Sequence, residues 1–123
     1  SSQSSPSGNT WYNLGGSLSV PIGAWDISYS AAAYEINSPA ITINTYIFVT
    51  LSTTNNGETD SRATYAFGSQ IDSRNEFRIT ATGMRNYSLS SKTVFYINIK
   101  CGAATPTSLN IRDRSITAVC SYL

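Results

Sequence analysis

No histidine occurs among the 123 residues, which removes the usual base of Ser/His/Asp and Cys/His nucleophile systems and the commonest metal ligand. The side chains left to move a proton at an active site are seven carboxylates: Asp26, Glu35, Glu58, Asp60, Asp72, Glu76 and Asp113. Paired carboxylates hydrolyse glycosides when rigid elements hold them on either side of the bond. Glu58 and Asp60 are neighbours here, but they share an Asn/Gly segment with no evident scaffold or dry pocket. The sequence therefore predicts a chain that is not an enzyme and has no catalytic residues.

Asn55, Asn56, Glu58 and Asp60 gather oxygen ligands in that segment, but the spacing is not that of a calcium loop, and a solvated turn is the simpler reading. Cys101 and Cys120 have no metal-ligand spacing. Both are expected as free thiols on strands, one disulfide being the alternative if those strands are neighbours. Gly15-Gly16 precedes a strand where a phosphate cradle needs a helix, so it reads as a turn. No metal and no cofactor are expected.

Recognition chemistry is better supplied. Charged residues are 12% of the chain, about half the usual share, so the surface must be built from Ser, Thr, Asn and the eight tyrosines. Tyr beside Ser and Asn suits polar ligands, sugars among them, although Tyr is also an ordinary sheet residue. The candidate receptor contacts are Asn55, Asn56, Tyr65, Arg74, Asn75, Arg85, Asn86 and Tyr87, with Trp11 and Tyr12 further candidates near the start. Asn86-Tyr87-Ser88 also matches a glycosylation sequon, and Arg112-Asp113-Arg114 reads as a decorated turn. A net charge of +1 creates no field for nucleic acid. No stretch approaches the roughly 20 apolar residues of a membrane helix, so neither nucleic acid nor membrane insertion is expected.

The elements that must carry these residues alternate with period two, the signature of strands. Strands are predicted over 17–20, 24–36, 41–53, 64–67, 76–82, 93–101 and 114–123, with Ser38-Pro39 and Gly83 as breaks and an exposed loop over 54–62. The Ser/Gln/Pro/Gly composition of residues 1–10 reads as a flexible linker, leaving 11–123 as one domain. About eight strands predict an all-β, antiparallel two-sheet sandwich, of jelly-roll type in preference to an immunoglobulin arrangement. The strand 41–53 is apolar on both faces, because Tyr46 and Phe48 oppose Ile47, Val49 and Leu51. The C-terminal segment is also apolar, through Ile116, Ala118 and Tyr122. A doubly apolar strand needs two covers, from the same chain or from a second subunit.

The segment Ser17-Leu18-Ser19-Val20-Pro21-Ile22-Gly23-Ala24-Trp25-Asp26-Ile27-Ser28-Tyr29-Ser30 resembles the opening of C-terminal tip domains of bacteriophage tail fibres and tailspikes. Val49 to Thr54, Thr93 to Asn98 and Ser115 to Ala118 resemble further pieces of the same group. The resemblance implies a homotrimeric, tumour necrosis factor-like jelly-roll knob at the virion tail tip. Its partner would be a bacterial surface polysaccharide or outer-membrane receptor. No contact residue is carried over from that group. On this reading Tyr46, Phe48, Ile116, Ala118 and Tyr122 are trimer-interface candidates, and loops 54–62, 68–75 and 84–90 face the receptor. Two other readings stay open. One is a purely structural trimerisation domain whose binding or glycan-cleaving activity lies upstream; the other is a secreted tumour necrosis factor-like or lectin domain.

Overall fold

Period-two alternation produces eight strands, and the computed structural model describes residues 1–41, 45–69, 74–102 and 106–121 of the chain. The strands are β1 (Ser2–Ser4), β2 (Tyr12–Val20), β3 (Gly23–Ile41), β4 (Thr45–Ser52), β5 (Thr64–Ser69), β6 (Arg74–Leu89), β7 (Thr93–Cys101) and β8 (Ser108–Cys120). A 3-10 turn, Ser61–Ala63, precedes β5. Two four-stranded antiparallel sheets result, in the orders β1-β8-β3-β6 and β2-β7-β4-β5. First pairs with last, second with seventh, third with sixth and fourth with fifth, which is the strand order of a jelly roll.

The predicted core faces are the buried ones. Ile27, Tyr29, Ala31 and Ala33 of β3 meet Ile47, Val49 and Leu51 of β4 and Phe95, Ile97 and Ile99 of β7 between the sheets. Each large aliphatic side chain so buried contributes about 1.5–3 kcal/mol.

Several boundaries differ from the sequence reading, each for a physical reason. Residues 1–10 are not all linker, since Ser2–Ser4 pairs with Ser108 to Asn110, and three small polar residues leave little trace of a strand in composition. Gly15-Gly16 is no turn but a register shift within β2, where Gly15 takes φ +101. β3 continues through Ser38-Pro39 to Ile41, with its pairing irregular between Ile36 and Ile41, the kind of place where a strand tolerates proline.

Gly83 does not end β6. A Cβ there would lie 2.7 Å from Cε1 of Tyr29 and 3.0 Å from Cε2 of Tyr65, so the glycine makes room for two aromatic rings within a continuous strand. Residues 84–89 are consequently strand, not loop. Arg112, Asp113 and Arg114 likewise lie inside β8. There Asp113 (φ +50) and Arg114 oppose Ala31 in a bulge. Cys101 is a buried thiol in one sheet and Cys120 lies half-buried in the other, so the two are not on neighbouring strands. Among the described residues no helix is long and apolar enough to cross a membrane.

Candidate functional site

Two surfaces gather the residues singled out by sequence. The first is the outward face of β2-β7-β4-β5. Tyr46 and Phe48 project from β4 with ring centroids 6.3 Å apart. Lys100, opposite Phe48 on β7, sets its ammonium 4.8 Å from the centres of both the Phe48 and Trp11 rings, a cation–π arrangement. Small neighbours keep the strip flat: Gly68 lies under the Tyr46 ring, Gly102 packs beside it, and Ala66 sits opposite Phe48.

The rest of this face is covered by the chain itself. The loop 53–60 folds back over it. Asn98 Nδ2 donates to the carbonyls of Thr54 (2.8 Å) and Gly57 (2.7 Å), and Ser52 Oγ bonds Thr59 Oγ1 at 3.3 Å. Thr64 bonds the Glu58 carboxylate and, at 2.8 Å, the Thr50 hydroxyl. Thr50, Ser52 and Asn98 are thereby buried, while Tyr46 remains 44% exposed. Half of the second cover expected for β4 is thus intramolecular.

The second surface lies where the edge strands β5 and β6 meet. Alternation along β6 puts Phe77, Ile79, Ala81, Gly83, Arg85 and Tyr87 on the inward side, so Arg85 pairs with Ile27 and Tyr87 with Trp25. The Tyr87 ring packs 4.8 Å from that of Phe95. Tyr65 enters from β5, its centroid 6.5 Å from that of Tyr29. Arg85 Nη2 reaches Asp60 Oδ2 at 3.3 Å, and Asp60 Oδ1 accepts from Arg62 Nε at 3.1 Å and from its backbone N–H at 2.9 Å.

The side-chain hydrogen bond from Arg62 is the main reason the Asp60 carboxyl titrates below its ordinary value; Arg85 adds a smaller pull. Burial pushes the Tyr29 and Tyr87 phenols upward, reinforced for Tyr87 by the Asp60 charge. Tyr29 is only 4% exposed, and its hydroxyl has no hydrogen-bond partner among the described residues.

Of the eight receptor candidates, Tyr65, Arg85 and Tyr87 therefore converge, joined by Asp60 and Arg62, which the sequence places only in an exposed loop. Asn86 points to the opposite side of β6 and donates to Asp26 (2.8 Å) and Ser121 (3.1 Å). Asn56 takes a left-handed φ of +55 and accepts from the Asn13 backbone N–H at 2.6 Å. Asn55 is exposed in the loop and Asn75 is exposed near the start of β6. Arg74 opens β6 opposite Ile41.

Ile116 and Ala118, expected at a subunit interface, are half-buried against the chain's own core. The outward side of β8 there carries Val119, 58% exposed, instead. Tyr122 and Asp72 lie outside the described residues. Among the described residues no group of three or more Cys, Asp or Glu is placed to hold a metal ion. Compared with protein-family models, curated proteins and solved structures, the chain matches none.

Proposed function

We propose that this chain is a binding and assembly module without catalytic activity, the tip of a phage tail fibre or tailspike. It associates as a homotrimer and contacts a bacterial surface glycan or outer-membrane receptor. The observation that carries the reading is the strip Tyr46–Phe48–Lys100–Trp11, a cluster of aromatic rings around one ammonium that the chain covers only in part, Tyr46 being 44% exposed. Exposed aromatic area of this kind is enriched where proteins associate. Copies packing through it supply the cover that loop 53–60 does not reach, and the flank bearing Tyr65, Arg85 and Tyr87 is left to meet the receptor. In this arrangement the site acts outside the bacterium, on the virion.

Light scattering tests the assembly. The wild-type chain is expected at three times its 13.3 kDa mass, and Tyr46→Glu with Phe48→Glu at the monomer mass with the fold kept. A monomeric wild type sinks the proposal.

One finding favours a purely structural role for the trimer. Arg85, Asn86 and Asn56 spend their polar groups on Asp60, Asp26 and Asn13 within the chain. Retention of the trimer on host cells or on a glycan array decides between the two. Binding that falls with Tyr65→Ala supports receptor recognition, and a trimer that nothing retains supports the structural role.

A further inference from the structure

The outward face of β1-β8-β3-β6, which neither surface above uses, holds a groove of about 160 Å³. Its floor follows from register: Arg112 on β8, Ala32 on β3 and Thr80 on β6 form one rung, so a methyl group lies between two longer side chains. The next position along β3 is Tyr34, opposite Arg78. The guanidinium of Arg78 is 4.9 Å, and that of Arg112 5.6 Å, from the Tyr34 ring centre. The bulge at Asp113 and Arg114 matters here. It leaves Arg112 on the outward face while Arg114 turns away to donate from Nε to the Gly15 carbonyl at 2.9 Å.

The geometry points to a site for a hydroxylated carboxylate of single-ring size, a uronate being the simplest example. Two planar forks flanking one depression match carboxylate better than any neutral group. The Thr80 hydroxyl, on the β6 wall beside Arg78 and across Ala32 from Arg112, is placed for a ring hydroxyl, and the volume is about that of an engineered cavity that admits benzene. Both arginines have carboxylate neighbours. Glu76 pairs with Arg78 through Nε, and Asp113 lies 3.8 Å from Arg112 Nε, beyond hydrogen-bonding distance. A guanidinium carries five N–H donors, so among the described residues the terminal nitrogens of both remain available to a ligand, and binding is expected to weaken as salt rises.

This site is independent of trimerisation and of the Tyr65 flank. Titration of the full chain with sodium glucuronate, followed by amide NMR shifts, tests it. Saturable shifts are expected at Ala32, Tyr34 and Thr80, no saturation with glucose, and at least about tenfold weaker binding of acetate. Arg78→Ala and Arg112→Ala should each weaken glucuronate about tenfold or more with the remaining resonances in place. Thr80→Val, which touches neither ion pair, should weaken glucuronate while leaving acetate unchanged. Absent saturation, equal binding of glucose, or arginine variants that bind as the wild type does would each overturn the assignment.

Discussion

Arg85 leaves β6 on the side that faces the core, opposite Ile27, and its guanidinium ends 3.3 Å from the carboxylate of Asp60. A long side chain can lie along apolar surface and deliver its charge at the rim, so one edge strand here reaches the loop that leads into the edge strand of the other sheet. Arg62 holds the same carboxylate more tightly. Carboxyl NMR titration should therefore show Asp60 moving up toward its ordinary 3.8 in both Arg62→Ala and Arg85→Ala, with the larger rise in Arg62→Ala. Because the folded value is depressed, the stability this group contributes is present above that ordinary value and lost as pH falls through the folded one.

Gly83 is expected to tolerate no side chain. Its missing Cβ would sit 2.7 Å from a ring carbon of buried Tyr29, which has nowhere to retreat. Gly83→Ala should cost about 1–3 kcal/mol in denaturant unfolding. Adding Tyr65→Ala should not restore the loss, because Tyr29 makes the closer clash.

Asn98 fastens loop 53–60 through two carbonyls. Asn98→Ala should destabilise the chain by about 1–3 kcal/mol, since both carbonyls lose their donor. Hydrogen exchange should accelerate over residues 53–60 well before it does in β7.

Glu35 is fully buried and accepts a hydrogen bond from the Thr45 hydroxyl. Burial raises its carboxyl above the ordinary 4.5. A raised folded value means the contribution to stability is complete below 4.5 and is lost as pH rises through the folded value. Stability measured against pH should fall across that window in the wild type, and Glu35→Gln should flatten the fall. An unchanged profile in the variant would assign the effect elsewhere.

Burial also pushes the Cys101 thiol up, and its Sγ lies 3.7 Å from the Ser7 carbonyl. Cys120 is half-buried. Under native conditions at mild alkaline pH, iodoacetamide should label Cys120 ahead of Cys101, and denaturant should remove the difference in rate.

The sandwich was legible because alternation is a local property: Ile27, Tyr29, Ala31 and Ala33, or Phe95, Ile97 and Ile99, declare their face in a few residues. Gly83 misled because a glycine that ends a strand and one that clears space for Tyr29 and Tyr65 look alike until both the neighbouring strand β3 and the facing strand β5 are in place. Misplacing that break turned residues 84–90 into a loop, and with them Arg85 and Tyr87 lost their inward orientation. β1 was illegible because it is three polar residues long and has no apolar alternation to read. The Tyr34 groove was hidden for a related reason, since Arg78 and Arg112 are brought to one ring solely by strand register.

The strand pairs are nested, with β4–β5 inside β3–β6, that pair inside β2–β7, and all of them inside β1–β8. Each enclosing pair spans a longer stretch of chain, and its closure becomes affordable only after the pair within has drawn its strands together. Assembly is thus expected to zip outward from the β4–β5 hairpin, on the slow millisecond-to-second scale of topologies dominated by distant pairings. Tension applied through β1 and β8 would undo the molecule in the reverse order, surrendering its weakest and shortest pairing first.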